Sequence, residues 1–129
     1  MLRVLDSTVL IDFLRGRPAV GRVQSLRARG DTAATTAINV EEIVRGLRPA
    51  DTEAAHRLFR GLVVLDVRAE EAWQAGAWRR ESAARGIHLF QADCLVAATA
   101  HLAGGVLITG NPKDFHLPNL QVEHWPVGT

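Results

Sequence analysis

Four acidic residues fall where a predicted strand ends or a predicted helix begins: Asp6, Glu42, Asp93 and Asp114. Asp6 ends a short apolar run, and Glu42 and Asp93 each lie in the first turn of a predicted helix. Asp114 lies in the loop after the fourth predicted strand. In an open α/β sheet, ligands bind outside the carboxyl ends of the strands. We therefore expect the four carboxylates to converge on one end of the sheet.

Converging carboxylates repel one another, and burying them without a cation costs several kcal/mol each. A hard divalent cation removes that cost, and oxygen ligands that retain water fit Mg²⁺ or Mn²⁺. A pair of such ions can activate a water and stabilise the leaving oxygen when a phosphodiester is hydrolysed. The acids therefore indicate metal-assisted hydrolysis as one chemistry for this chain.

The same acids also have a purely structural explanation. An acid in the first turn of a helix stabilises the helix dipole and needs no catalytic role, which applies to Glu42 and Asp93. Asp114 in a polar loop fits a turn residue. Asp6 is harder to explain in this way, because an acid that closes an apolar strand rarely adds stability. The spacing alone leaves both explanations open.

The hydrophobic pattern predicts strands that alternate with helices. Strands are predicted at residues 2–5, 32–36, 62–67 and 106–108, with an edge strand at 120–122. Helices are predicted at 8–14, from Pro18 to Gly30, after an Asn39 cap, after an Asp51 cap, at 69–85 and at 91–102. On the helix at 8–14, Asp12 is expected to face solvent. The alternation is typical of a parallel sheet that is covered on both faces.

The composition limits the class of protein. The chain has 129 residues, enough for one α/β domain and too few for two, and its net charge of +1 indicates no particular partner. Cys94 is the only cysteine, which excludes an intramolecular disulfide and a cysteine-rich zinc site. No segment approaches the roughly 18 consecutive apolar residues of a membrane helix, and the N-terminus lacks a signal-peptide pattern. We therefore expect a cytoplasmic protein without membrane contact.

Three other classes of α/β protein fit the chain less well. A haloacid-dehalogenase-type phosphatase needs a second Asp two residues after the first, where this chain has Thr8. A nucleotide-binding domain would carry Gly-x-Gly-x-x-Gly or Gly-Lys-Ser/Thr after the first strand, and neither occurs. A receiver domain would use Asp66 after the third strand, but the acids near the fourth strand then have no role.

Each of the four acids stands in a short motif. The motifs are Asp6-Ser7-Thr8-Val9, Glu42-Ile43-Val44-Arg45-Gly46, Asp93-Cys94-Leu95-Val96-Ala97-Ala98-Thr99-Ala100 and Thr109-Gly110-Asn111-Pro112-Lys113-Asp114-Phe115. In this order and over most of the chain, they resemble the motifs of the PIN-domain family, and more closely those of the VapC-type toxins of bacterial toxin–antitoxin pairs. Gly110 departs from the family pattern, which often has an arginine or asparagine there.

The resemblance implies a Mg²⁺-dependent endoribonuclease, with Mn²⁺ as an alternative ion. It implies a single three-layer α/β/α domain over residues 1–129, with a central, mostly parallel sheet of about four to five strands. Asp6 and Asp93 would be direct metal ligands, while Glu42 and Asp114 would bind a second ion or act through water. The products of this water-dependent mechanism would carry 5′-phosphate and 3′-hydroxyl ends.

The resemblance also implies supporting residues. Thr8 and Thr109 would hydrogen-bond a ligand carboxylate or a water, and Asn111 would orient Asp114. Four basic side chains follow or flank the proposed site and are candidates for phosphate contacts with RNA, with a solvated basic surface as the alternative. They are Arg15, Arg17, Arg45 and Arg48.

The implied partners are a cognate antitoxin, an RNA substrate and a second copy of the chain. The antitoxin would insert a segment into the acidic site, and the substrate would be a tRNA, rRNA or mRNA. Two alternatives remain: a PIN-like module that binds RNA or a protein without cleaving, and a PIN nuclease with a role outside a toxin–antitoxin pair. The presence of all four acids counts against the first alternative.

Overall fold

A computed structural model describes residues 1–128, which contain one five-stranded sheet. The strands are β1 (Leu2–Leu5), β2 (Thr32–Thr36), β3 (Val63–Leu65), β4 (Val106–Thr109) and β5 (Val122–His124). Their order is β3-β2-β1-β4-β5, and every neighbouring pair is parallel. The predicted parallel sheet is confirmed, and its first strand lies at the centre.

Six α-helices flank the sheet in the described part of the chain. They are α1 (Ser7–Leu14), α2 (Ala19–Ala28), α3 (Ala37–Arg45), α4 (Thr52–Arg60), α5 (Ala69–Ala84) and α6 (Gln91–Leu102). Short 3₁₀ turns occupy Pro49–Asp51 and Pro112–Phe115. No helix within residues 1–128 is both long enough and apolar enough to cross a membrane.

The core divides into two clusters because side chains of a strand alternate between its faces. On β1, Leu5 packs with helices α1 to α4, whereas Val4 packs with α5 and α6. On β4, Ile108 belongs to the first cluster and Leu107 to the second. Helices therefore cover both faces of the sheet, and the predicted three-layer α/β/α fold is confirmed.

One of the two predicted helix caps is wrong, and the other is confirmed in position only. The N-cap of α3 is Thr36, whose hydroxyl accepts the Asn39 backbone N–H at 3.3 Å, so Asn39 lies inside the first turn. Asp51 is the N-cap residue of α4, as predicted, but its side chain accepts no backbone N–H. Its carboxylate is instead engaged by the Arg48 guanidinium at 2.8 Å, a stronger charged contact that competes with capping.

The two edge strands differ from their predicted positions. β3 covers three residues instead of the predicted six, because it pairs only with Ala34–Thr36 of its neighbour β2. β5 begins at Val122, two residues later than the predicted start, where it pairs with Leu107 of β4. Edge strands have one partner each, so their length depends on pairing and not on the local sequence alone.

We predict that the two neighbouring residues Leu10 and Ile11 differ sharply in their contribution to stability. Leu10 is completely buried in the cluster under α1, so Leu10→Ala leaves a cavity and should lower the free energy of unfolding by about 2–5 kcal/mol. Ile11 is 40% exposed, and Ile11→Ala should cost about 1 kcal/mol or less. Urea denaturation of both variants checks this, and equal losses would contradict the assigned buried face of α1.

Candidate active site

Asp6 follows β1 directly and is a buried carboxylate, with 7% of the residue exposed. Its Oδ2 atom accepts hydrogen bonds from the hydroxyls of Thr109, at 2.8 Å, and Thr8, at 3.1 Å. Its Oδ1 atom has a longer contact, 3.4 Å from the amide Nδ2 of Asn39. All three donors are neutral, and none of the ion pairs among residues 1–128 includes Asp6. The protein therefore holds this carboxylate without neutralising its charge.

The register of the sheet brings these donors to Asp6. Leu5 of β1 pairs with Ile108 of β4, and the Asp6 backbone N–H donates to the Ile108 carbonyl at 2.9 Å. Thr109 ends β4 and so lies beside Asp6 at the same edge. Since the parallel strands β2 and β4 flank β1, residues that follow either strand meet at the carboxyl edge.

Glu42 lies on α3 and is tied to α1 by a chain of hydrogen bonds. The Ser7 hydroxyl donates to Glu42 Oε1 at 2.8 Å, and Asn39 Nδ2 donates to the Ser7 hydroxyl at 2.9 Å. Asn39 Oδ1 in turn accepts the Thr36 hydroxyl proton at 2.8 Å. These contacts fix the Glu42 side chain and place Asn39 between two acids, Asp6 and Glu42.

Sequence reasoning missed Ser7 and Asn39 as parts of this arrangement. Ser7 had the sequence position of a helix cap, and Asn39 was assigned as one. The side chains instead contact acids that are distant in sequence: Ser7 contacts Glu42, 35 residues away, and Asn39 contacts Asp6, 33 residues away. The one feature of the sequence that could have indicated Ser7 is its position next to Asp6, and nothing comparable indicated Asn39.

Asp93 lies in the first turn of α6 and is partly buried. The pKa of its carboxyl is raised from the ordinary value of 3.8 to about 6, mainly by burial and then by the negative charges of Asp114, Asp6 and Glu42, in that order. All four acids are therefore within electrostatic reach of one another. No ion pair in residues 1–128 involves Glu42, Asp93 or Asp114 either.

Asp114 is exposed and lies in the 3₁₀ turn after β4. Its Oδ2 atom accepts a hydrogen bond from Asn111 Nδ2. The Asn111 backbone N–H donates to the Thr109 hydroxyl at 3.0 Å, which joins the turn to the end of β4. Asn111 therefore connects the exposed acid to the hydroxyl that holds Asp6.

The donor set fits a hard divalent cation, although the acids are spread out. Within residues 1–128, no three His, Cys, Asp or Glu side chains already form a compact metal-binding group. Mg²⁺ usually retains several waters and uses one or two carboxylates, so it does not need three protein ligands at once. Oxygen-only side chains with uncompensated negative charge, of which Asp6 is the most buried, are suited to such an ion.

The four candidate arginines separate into two pairs. Arg15 and Arg48 line a groove of about 530 Å³ between α1 and α3, and Glu42 lies at its wall. Arg48 also pairs with Asp51 in this groove. Arg17 and Arg45 are exposed and do not line this groove. The structure thus places two of the four arginines in the groove that Glu42 lines.

Comparison with known proteins identifies the family. The PIN domain family model matches residues 3–117, and the chain belongs to the PIN-domain family. This confirms the family that the four motifs predicted. The matched range includes all four acids and ends in the loop after Asp114.

The matches to individual proteins cover nearly the whole length of both chains. Ribonuclease VapC19 from Mycobacterium tuberculosis is 32% identical over 124 residues, which cover 93% of this chain and 98% of that protein. The structure of DNA-bound VapBC from Salmonella typhimurium matches with a TM-score of 0.84 and 25% identity, over 97% of this chain and 99% of that one. A toxin–antitoxin complex from Klebsiella pneumoniae matches with a TM-score of 0.75 and 27% identity, over 98% and 99% of the two chains.

We predict that Asp93 destabilises the metal-free protein at neutral pH. Its folded-state pKa lies above its unfolded value, so the folded state binds the extra proton between about pH 4 and 6, and stability falls as the pH rises through that window. Asp93→Asn, which cannot ionise, should therefore raise the melting temperature more at about pH 7.5 than at about pH 5. Calorimetry in EDTA measures both values.

The matched control for this measurement is Glu53→Gln. Glu53 has a side chain that is 93% exposed and lies on α4, away from the acids. This variant should leave the difference between the two pH values unchanged. A pH-independent gain from Asp93→Asn would show that the substitution improves packing or helix propensity and would contradict the electrostatic explanation.

Proposed function

We propose that this chain is a Mg²⁺-dependent endoribonuclease and the toxin component of a toxin–antitoxin pair. The observation that carries the proposal is the Asp93 carboxyl, whose pKa is raised by burial and by the charges of Asp114, Asp6 and Glu42. Such a group of uncompensated acids lowers stability, and a bound cation offsets that loss. The ribonuclease name of the Mycobacterium tuberculosis relative supports RNA as the substrate class.

Asp6 and Asp93 would hold the ion, and Glu42 and Asp114 would act through water or on a second ion. Mn²⁺ would take the place of Mg²⁺ with the same oxygen ligands. When bound, the ion supplies Lewis-acid chemistry that activates water and stabilises charge on the phosphate. The chain fixes the acids in advance: two threonine hydroxyls hold Asp6, and Ser7 holds Glu42. Held in this way, the carboxylates need little reorganisation to bind an ion.

Arginines beside the acids would contact the RNA backbone. Arg15 and Arg48 lie in the groove next to Glu42, and Arg45 follows Glu42 on the exposed side of α3. Guanidinium groups suit phosphate because their planar donors match its oxygens. Contacts of this kind position an RNA without reading its sequence, so a tRNA, rRNA or mRNA would each be compatible.

The proposed protein partners are a cognate antitoxin and a second copy of the chain. The matched structures from Salmonella typhimurium and Klebsiella pneumoniae contain toxin–antitoxin complexes, which supports the antitoxin. An antitoxin arginine placed among the uncompensated acids would inhibit the site. Large exposed apolar side chains, Trp73 on α5 and Phe90 before α6, support a homodimer because association would cover them. We propose that the toxin and its antitoxin are located in the cytoplasm.

We predict that the purified chain, free of antitoxin, cleaves a total RNA pool with Mg²⁺ and not with EDTA. Asp93→Asn should reduce the cleavage rate by more than the roughly 10- to 100-fold that is typical when a partner of a metal ligand is lost. Glu53→Gln provides the control, because it removes one exposed acid outside the site. Gel analysis of labelled RNA measures the rates.

The outcomes separate the alternatives. Cleavage that survives EDTA or Asp93→Asn would indicate a contaminating nuclease or a different site. RNA that is bound but not cut by folded protein would favour the non-cleaving binding module. Sequencing of the new ends from productive reactions would then identify the RNA.

We predict that the cleaved RNA carries 5′-phosphate and 3′-hydroxyl ends. The proposed reaction uses water as the nucleophile, so the ribose 2′-hydroxyl takes no part and no cyclic product forms. A deoxyribose at the cleaved position should therefore remain a substrate. Ligation assays that require a 5′-phosphate check this, and a 2′,3′-cyclic phosphate would rule the mechanism out.

A further inference from the structure

The chain after β5 folds back over the loop that follows β4. We refer to residues 125–128 as the C-terminal segment. Trp125 is buried and its backbone N–H donates to the Thr109 carbonyl at 2.9 Å. Arg22 Nη1 donates to the Pro126 carbonyl at 2.7 Å. The C-terminal segment is therefore held at the edge of the sheet where the acids lie.

Asp12 holds the far end of this segment, and the expectation that it faces solvent is wrong. The residue is 2% exposed, and its Oδ1 atom accepts the Gly128 backbone N–H at 3.0 Å. Its Oδ2 atom accepts the Ala19 backbone N–H, also at 3.0 Å, at the start of α2. No ion pair within residues 1–128 includes Asp12. One carboxylate thus joins α1, α2 and the C-terminal segment through backbone donors alone.

Gly110 and Val127 fit each other closely. A Cβ atom built on Gly110 would lie 2.6 and 2.8 Å from the two Cγ atoms of Val127, closer than such atoms can approach, and 3.3 Å from Thr8 Oγ1. Gly110 does not have a positive φ, so space and not backbone conformation excludes a side chain here. This accounts for the departure from the family pattern at Gly110: the C-terminal segment occupies the room that a side chain would need.

The loop under the C-terminal segment fixes both hydroxyls that hold Asp6. The Gly110 backbone N–H donates to Thr8 Oγ1 at 2.9 Å, and the Asn111 backbone N–H donates to Thr109 Oγ1 at 3.0 Å. Each hydroxyl has one proton, and each donates that proton to Asp6 Oδ2. Because the backbone amides use the acceptor side of each hydroxyl, the position of the loop sets the direction of both protons.

We propose that Asp12 and Val127 are positioning residues for the Asp6 carboxylate. Asp12 anchors the C-terminal segment, and Val127 of this segment packs against Gly110. The backbone N–H groups of Gly110 and Asn111 then fix the hydroxyls of Thr8 and Thr109, which donate to Asp6. This inference rests on the proposed function where it concerns metal binding, but the positioning itself is a property of the metal-free chain. Loss of either residue should release the loop and weaken the binding of a cation at Asp6.

The test uses two variants and their combination. Gly110→Ala should clash with Val127 and raise the Mn²⁺ dissociation constant by about 10-fold or more, as expected for a partner of a metal ligand. Val127→Ala alone removes both Cγ atoms that pack on Gly110, so it should release the loop and also weaken Mn²⁺ binding. In the Gly110→Ala/Val127→Ala double variant, the new methyl group at position 110 takes the room that those Cγ atoms leave, so the contact is restored and most of the loss should be recovered. Electron paramagnetic resonance measures Mn²⁺ binding, and the backbone NMR resonances of Asp6 and Thr8 report the positioning without metal.

Asp12→Asn and Asp31→Asn form the matched pair of carboxylate variants. Asn at position 12 keeps one acceptor but turns a donor toward the other N–H, so it should weaken Mn²⁺ binding and shift the Asp6 and Thr8 resonances. Asp31 precedes β2 at the opposite edge of the sheet, where it pairs with Arg3 and Arg29. Asp31→Asn should lower stability but leave Mn²⁺ affinity and both resonances unchanged.

The outcomes distinguish the positioning from the proposed function. Folded Gly110→Ala and Asp12→Asn proteins with wild-type Mn²⁺ affinity and wild-type resonances would overturn the positioning even if the chain cleaves RNA. A wild-type chain that binds no Mn²⁺ would overturn the proposed function, and recovery of the resonances in the double variant would still support the positioning. If Asp12→Asn does not fold, the Gly110 and Val127 variants decide whether the segment positions Asp6, because they leave Asp12 intact.

Discussion

A carboxylate that is buried without a cation must be held by hydrogen-bond donors, and Asp6 imposes this requirement on the fold. Its donors come from three different places in the chain: Thr8 on α1, Asn39 on α3 and Thr109 at the end of β4. The order of the strands, with β1 between β2 and β4, brings the three together. If β1 did not lie between β2 and β4, Asp6 would be separated from Asn39 or from Thr109. The sheet thus serves to assemble these donors around one charge.

The four clustered acids contrast with acids elsewhere in the chain. Asp31 pairs with Arg3, Asp51 with Arg48, and Glu71 with Arg68, so local charge is balanced at each of these positions. Asp6, Glu42 and Asp114 have hydroxyl and amide partners instead, which orient a carboxylate without neutralising it. A fold selected only for stability would place a cation there. The conflict between local electrostatics and stability is the physical mark of a functional site.

Much of the fold followed from local patterns in the sequence. β1, β2 and α6 occupy the predicted residues, because hydrophobic alternation, caps and helix-ending glycines are encoded within each element. The four acids were recognisable since each follows a strand or opens a helix, and their roles stay a prediction. Asp12 was missed because one of its partners, the Gly128 N–H, is 116 residues away and leaves no trace in helical periodicity. Nearly every residue has a backbone N–H donor, so no sequence pattern distinguishes the donor that bonds to the Asp12 carboxylate.

Gly110 illustrates what a motif comparison can and cannot explain. In the sequence it is only a departure from a family pattern, whereas in the structure it is one half of a close contact with Val127. The amide of this glycine makes the Thr8 hydroxyl an acceptor and so commits its only proton to Asp6. The same arrangement at Asn111 and Thr109 means that main-chain geometry, and not the choice of side chain at position 110, controls the hydroxyls. The residue at this position can therefore vary only together with the segment that packs on it, because the backbone there supplies the hydrogen bond.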